Sequence, residues 1–179
     1  MLMSTRCADR YILRDGRQVH QSFEWRSFRY LQISFRTAAT PVRLHAVDAV
    51  SWRYPAEVRG RFSCSDPVTE QVWSACVRTT DLCTDDAFMD TPLREKRNWL
   101  GDGSHAVRGA LAAWGDTPVI RRYFQLAVQG ALGDGMLRMF FPGGDFPEKT
   151  KVVNTIPQHA LVWACRVGEF YRHTGDRAF

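Results

Sequence analysis

The sequence predicts a mainly α-helical protein whose helices follow a shorter segment of β-strands. Apolar residues alternate with polar ones before about residue 62, and after it they recur at intervals of three and four residues. The composition, with 45% hydrophobic and 24% charged residues, is typical of a folded globular chain. These observations divide the 179 residues into a β segment over residues 1–61 and a helical segment over residues 62–179.

Short strands and tight turns are expected in the β segment. Asp15 and Gly16 are typical of a turn. Apolar residues at alternate positions share one face of a strand, and Leu31, Ile33 and Phe35 are spaced in this way. They predict a half-buried strand. A second strand is expected over residues 43–50, which lie between two prolines.

Four helices are expected after residue 62. Asp66 and Pro67 combine an N-cap with a first-turn proline, which together open a helix. The inward residues of this helix are expected to be Val68, Val72, Cys76, Thr79 and Cys83. The later helices are expected over residues 103–114, 118–132 and 157–173. In the second helix, the inward residues are expected to be Ala106, Val107, Ala110 and Leu111.

Charge and hydrophobicity argue against a nucleic-acid partner and against a membrane. The formal charge of +5 divides into +6 over residues 1–62 and −1 over residues 63–179. A basic segment can indicate nucleic-acid binding, but these arginines are spaced singly among aromatic residues without a recognition motif. We expect solvated strand faces and no nucleic-acid partner. No apolar run approaches the 18 residues of a transmembrane helix, so no membrane contact is expected either.

The cysteines and histidines indicate neither a metal nor a cofactor. Five cysteines are scattered without a CxxC pair, which excludes a zinc pattern and a closed disulfide framework. His159 and His173 are too far apart in sequence for a ligand pair. We therefore expect buried thiols, no metal and no cofactor.

Residues 85–102 hold the densest set of reactive side chains. Pro92 disfavours helix before it, so Asp90 should lie in an extended or turn conformation at the end of the first helix, while Asp102 could cap the next helix. Carboxylates beside an indole suit carbohydrate chemistry, because they accept hydrogen bonds from sugar hydroxyls while the indole packs on the sugar face. On spacing alone, a capping Asp with surface salt bridges to Arg94, Lys96 and Arg97 is the better explanation.

The letters of this stretch resemble the signature of the bacterial α-L-rhamnosidases, six-hairpin glycosidases that invert anomeric configuration. Residues 90–102 read DTPLREKRNWLGD. This is similar to the family's run Asp-Cys-Pro-x-Arg-(Asp)-Glu-Arg-x-x-Trp-x-Gly-Asp. Thr91 replaces the usual Cys, and some members have one more residue between the Arg and the Trp. The flanking matches at residues 28–30, 62–66, 158–163 and 171–176 follow in the same order as in the family.

This resemblance implies the first part of an (α/α)6 barrel, preceded by the end of a β-sandwich domain. It implies that Glu95 is the general acid, since only a carboxyl group can be the acid and Lys96 cannot. It further implies that the substrate-binding residues are Asp90, Arg94, Trp99 and Asp102. The long loop over residues 133–155 would help to wall the sugar site.

The activity implied is removal of terminal α-L-rhamnose from glycosides by acid/base-assisted inverting hydrolysis. The alternatives are a non-catalytic carbohydrate-binding or scaffold protein that kept the fold, and a sister specificity on the same barrel. The family's general base is a later Glu, and neither Glu148 nor Glu169 lies in a matching motif. We therefore expect a fragment that is inactive alone, with a rhamnose-containing glycoside as partner. Because relatives act both inside and outside bacterial cells, no compartment is predicted.

Overall fold

The first part of the chain has no regular secondary structure in its described residues. The computed structural model describes residues 8–36, 40–115, 118–143 and 155–179. It divides into two units, Met1–Trp52 and Arg53–Phe179. In the first unit, the predicted turn is present: Gly16 has a φ of 83°, and the amide of Gln18 donates to the carbonyl of Arg14.

The strands predicted around Ile33 and over residues 43–50 are not formed. Both stretches are irregular and exposed, and no β-bridge joins them to any described residue. An alternating pattern makes a strand only where a neighbouring strand exchanges backbone hydrogen bonds with it. The individual strand predictions are therefore wrong for this structure, and the β-sandwich domain over residues 1–61 stays a prediction.

The described part of the second unit contains four α-helices. They are α1 (Pro67–Leu82), α2 (Leu100–Ala113), α3 (Pro118–Gln129) and α4 (Pro157–Thr174). All four predicted helices are confirmed. However, α2 begins three residues before its predicted start, and α3 ends three residues before its predicted end.

The end signals of α1 and α4 act as the sequence indicates. The Asp66 carboxylate accepts the N–H of Val68 at 3.0 Å, so Asp66 caps α1. The bond from the Thr69 hydroxyl, and then that from Val68, lower the pKa of Asp66. At the end of α4, Gly175 adopts a φ of 70°, which favours glycine.

The start of α2 differs from the prediction. Asp102 lies in the first helical turn, while the N-cap position is held by Trp99, whose side chain makes no capping bond. Instead, the N–H of Leu100 donates to the carbonyl of Met139 at 2.8 Å. The first N–H groups of a helix lack partners within it, and here a distant segment satisfies one of them. Asp102 is therefore not the cap, because the helix already starts two residues earlier.

Helix α2 is at the centre of the helical unit and packs against the other three helices. Its residues Val107, Ala110 and Leu111 are buried as predicted. At its end, Trp114 is 2% exposed and stacks on Tyr54 with ring centroids 6.1 Å apart. The same core includes Phe88, Leu100, Ile120, Tyr123, Phe124 and Phe170.

Helix α1 packs through a face adjacent to the predicted one. Val68, Val72 and Cys76 are exposed, whereas Thr80 is buried. A Cβ placed on Gly109 of α2 would lie 2.6 Å from the hydroxyl of Thr80, so the two helices approach closely there. The apolar residues of α1 cover more than one face, and spacing alone therefore does not select the buried one.

An ion-pair cluster joins α2 to α4. Arg108 of α2 donates to both carboxylate oxygens of Glu169, at 3.0 and 2.6 Å, and Arg166 of α4 also donates to Glu169. The bonds from these two guanidinium groups, Arg108 first, lower the pKa of Glu169 to about 2. Glu169 thus stabilises helix packing as a carboxylate.

Gly103→Ala should destabilise the helical unit. The added Cβ would lie 2.3 Å from the ring of Tyr123, and forcing an extra methyl group into a packed core costs about 1–3 kcal/mol. Gly168→Ala in α4 is the matched control, because no atom lies within 4 Å of its Cβ position. It should stabilise the helix by about 0.5–1 kcal/mol. Urea unfolding measures both, and equal effects would contradict the close approach of α2 and α3.

The stability of the helical unit should decline in acid partly through Glu169. Its pKa is about 2 in the folded chain against an ordinary value of 4.5. Its stabilising contribution is therefore present above about pH 4.5 and is lost as the pH falls towards 2. Glu169→Gln should lower the free energy of unfolding at pH 7 and flatten its decline between about pH 5 and 3. Urea unfolding across this range measures the change.

Glu57→Gln is the control for this experiment, because Glu57 and its ion-pair partner Arg59 are both exposed. This variant should keep the acid decline of the parent chain. If Glu169→Gln also kept it, the ion-pair cluster would not stabilise the fold.

Candidate active site

The connection between α1 and α2 contains a loop that is closed by Asp90 and Arg97. The N–H of Asp90 donates to the carbonyl of Arg97 at 3.1 Å, and the N–H of Arg97 donates to Asp90 Oδ1 at 3.0 Å. These two bonds enclose residues 91–96, so Arg94 and Glu95 are presented from a loop with a fixed base. One oxygen of Asp90 therefore has a structural role that the sequence resemblance does not indicate.

Backbone hydrogen bonds at the end of α1 hold the segment that leads into this loop. The N–H of Met89 donates to the carbonyl of Cys83 at 2.9 Å, and Thr84 and Phe88 form an antiparallel bridge. Phe88 is buried in the core. Partial burial, and then the charge of Asp90, raise the pKa of the Cys83 thiol. Cys83 is thus a neutral packing thiol and not an activated nucleophile.

Glu95 is held by Trp99. Its Oε2 accepts a hydrogen bond from the Trp99 indole Nε1 at 2.8 Å. Its Oε1 lies 3.3 Å from the guanidinium of Arg94, and the two side chains are 36% and 55% exposed. Lys96 follows with a φ of 51°, a left-handed conformation that helps to reverse the chain. Because exposed ion pairs contribute little, Trp99 makes the firmer contact with Glu95.

Trp99 is in turn held by Phe140. Their rings meet edge to face with centroids 4.9 Å apart, and their backbones form an antiparallel bridge. The side-chain amide of Asn98 donates to the carbonyl of Phe141 at 2.9 Å. With the Leu100 bond described above, three consecutive residues, 98–100, are attached to residues 139–141. These residues lie in the long loop predicted over residues 133–155, and the aromatic pair at 140 and 141 is the sequence signal that identifies them.

The remaining predicted residues occupy different positions around Glu95. Asp102 is exposed on the first turn of α2, and no hydrogen bond or ion pair joins its side chain to a described residue. The guanidinium of Arg97 packs over the Phe140 ring at 4.6 Å from its centroid. The structure thus brings Glu95, Arg94 and Trp99 into contact, gives Asp90 a loop-closing role and leaves the carboxylate of Asp102 in solvent.

The alternative of a cap with salt bridges is only partly present. The Arg94–Glu95 ion pair exists, but Asp102 caps no helix. The Asp102 carboxylate is exposed in the first turn of α2, where a negative charge is favourable.

The part of the chain that the structure describes contains neither a metal cluster nor a membrane-spanning helix. Within it, no three His, Cys, Asp or Glu side chains are grouped closely enough to hold a metal ion. None of its helices combines the length and hydrophobicity needed to cross a bilayer.

Comparison with known proteins identifies the helical unit. The family model for the bacterial alpha-L-rhamnosidase 6 hairpin glycosidase domain matches residues 57–179. The chain belongs to this family. The resemblance of residues 90–102 is thereby confirmed, and so is the mainly α-helical fold class, with α1–α4 as part of an (α/α)6 barrel.

A solved structure supports the same assignment to the rhamnosidase family. The chain is similar to the crystal structure of a GH78 family rhamnosidase of Bacillus sp. GL1, with 27% identity and a TM-score of 0.59. The match covers 70% of this chain and 12% of that protein. No curated protein matches the chain.

The later glutamates of this rhamnosidase-family chain are Glu148 and Glu169. Glu148 lies outside the described residues. Glu169 is bound by Arg108 and Arg166 in the contact between α2 and α4. Because both guanidinium groups bind this carboxylate, it is not free to activate a water molecule as a general base must.

Asp90→Ala should open the loop that carries Glu95. It removes a charge-assisted hydrogen bond to the N–H of Arg97, which is worth about 1–2 kcal/mol. Trypsin should then cleave faster after Arg94 and Lys96, which limited proteolysis with mass spectrometry detects. Asp90→Asn keeps an acceptor oxygen and should be cleaved nearly as slowly as the parent chain. Equal rates for Asp90→Ala and the parent would show that Asp90 does not close the loop.

Proposed function

We propose that this chain forms part of the catalytic site of an α-L-rhamnosidase that removes terminal rhamnose with inversion, and that Glu95 is its general acid. One observation carries this proposal: Glu95 is held at Oε2 by Trp99, while its side chain is 36% exposed and Oε1 lies beside the exposed guanidinium of Arg94. A general acid needs this combination of a fixed carboxyl group and one accessible oxygen.

The neighbouring residues would bind the sugar. The carboxylate of Asp102 is exposed, and Asp90 uses Oδ1 for the loop, so both have oxygens that can accept hydrogen bonds from rhamnose hydroxyls. The exposed guanidinium of Arg94 can donate to the same hydroxyl oxygens. In this role Arg94 would leave Glu95 when substrate binds, which frees Oε1 to carry the proton.

The second catalytic group would lie outside this chain. An inverting glycosidase needs a general base roughly 6.5–9.5 Å from the acid, so that a water molecule fits between the base and the sugar. Glu169 is committed to its ion pairs with α2, and this chain spans 12% of the solved rhamnosidase. We therefore expect the base from a later part of the full-length protein, and no turnover by residues 1–179 alone.

The test is Glu95→Gln in the full-length protein that carries this segment. Loss of general-acid catalysis should lower kcat on an alkyl α-L-rhamnoside by about 10²–10⁴-fold. Rhamnose affinity, measured by calorimetry, should remain close to that of the parent. Glu57→Gln is the matched control and should change neither quantity, because Glu57 pairs with an exposed Arg59. Full activity of Glu95→Gln would remove Glu95 from this role.

The same measurements separate the alternatives. A parent protein that binds rhamnose but hydrolyses no rhamnoside would be the non-catalytic carbohydrate-binding form. A parent that hydrolyses another glycoside, and is inactivated by Glu95→Gln, would be the sister specificity on this barrel.

A further inference from the structure

Trp99 contacts Glu95 through its N–H group, and this contact influences which carboxyl oxygen of Glu95 carries the proton. An indole N–H is a donor only and cannot accept a hydrogen bond. The oxygen that it faces, Oε2, must therefore remain an acceptor in both the protonated and the ionised carboxyl group. Because the C=O oxygen of a protonated carboxyl group is a stronger acceptor than its O–H oxygen, the Trp99 bond favours the proton on Oε1.

The indole itself is restrained by Phe140 and by the backbone around it. Phe140 packs against it edge to face at 4.9 Å, and the backbones of the two residues form a bridge. On either side of Trp99, Asn98 and Leu100 bond to the carbonyls of Phe141 and Met139. Trp99 is thus fixed by ring packing and by the backbone hydrogen bonds of its neighbours, and it transmits this position to Glu95.

The Arg94 guanidinium provides a weaker restraint on Glu95. It lies 3.3 Å from Oε1 on a side chain that is 55% exposed, and exposed ion pairs contribute little. Asp90 uses Oδ1 to close the loop that carries Glu95. The Trp99 bond to Oε2, at 2.8 Å, is the shorter of the two contacts and distinguishes the two oxygens of Glu95.

We propose that Trp99 is a positioning residue that assigns the transferable proton to Oε1 of Glu95, and that Phe140 positions Trp99 for this purpose. The inference rests on the proposed function of Glu95. In the reaction, the proton on Oε1 moves to the glycosidic oxygen as the bond from the anomeric carbon to that oxygen breaks. The bonding electrons stay with the departing oxygen, and water attacks the sugar carbon while losing its proton to the general base. Glu95 is left as a carboxylate that still accepts from Trp99.

The test is Trp99→Phe in the full-length protein, assayed on rhamnosides that differ in the acidity of the leaving group. Phe keeps an aromatic ring and removes the N–H donor. A misplaced acid matters most when the departing oxygen is a strong base. We expect kcat to fall about 10- to 100-fold on alkyl rhamnosides, and to change little on rhamnosides of acidic phenols, with KM nearly constant.

Trp163→Phe is the matched control. The Trp163 Nε1 is buried and bonds to none of the described residues, so this variant removes an indole N–H that Glu95 does not use. It should not change the dependence of kcat on the leaving group. If Trp99→Phe raised KM and lowered kcat equally on all leaving groups, Trp99 would be a sugar-stacking platform and the proposal would be overturned.

A second measurement does not depend on activity. The indole N–H resonance of Trp99 in residues 1–179, assigned by its loss in Trp99→Phe, should shift on acidification, and Glu95→Gln should abolish that shift. Phe140→Leu should weaken it. An indole N–H chemical shift that is the same in Glu95→Gln and in the parent chain across the acid range would overturn the positioning role. Should the indole respond while Glu95→Gln keeps full activity, the proposed function fails and the Trp99 contact stands.

Discussion

The attachment of residues 98–100 to residues 139–141 is the interaction on which the rest of the candidate site depends. The Leu100 N–H and the Met139 carbonyl determine where α2 begins, because they satisfy a backbone donor that the helix itself leaves free. The Trp99 and Phe140 rings determine where the indole lies. Glu95 then takes its position from Trp99. A single connection between distant parts of the chain thus sets both the helix boundary and the proposed acid.

The carboxylates of the helical unit differ in their surroundings. Glu169 is bound by Arg108 and Arg166 and stabilises the packing of α2 on α4 as an ion. Glu95 lies beside the exposed guanidinium of Arg94, and Asp102 lies in solvent on the first turn of α2. The two residues proposed to act on substrate are thus distinct from the carboxylate that joins the helices.

Much of the helical unit could be predicted from the sequence. The four helices follow from proline and aspartate at their starts, glycine at their ends and apolar spacing between them, all of which act within one or two turns of the chain. The buried face of α2 was also predictable, because its small and aliphatic residues form one stripe. The face of α1 was not, since Val68 and Val72 are exposed while Thr80 is buried, and only the neighbouring helix selects the buried face.

The sequence by itself determined the helices, the family signature at residues 90–102 and the identity of the groups that can act chemically, because these depend on local propensity and on side-chain type. Only the tertiary structure decided that Asp90 closes a loop, that Asp102 is not a cap and that Trp99 bonds to Glu95 while resting on Phe140. The physical reason is that such contacts join residues up to about forty positions apart. Packing and the satisfaction of backbone hydrogen bonds determine which residues form these contacts, and a local sequence pattern does not specify either.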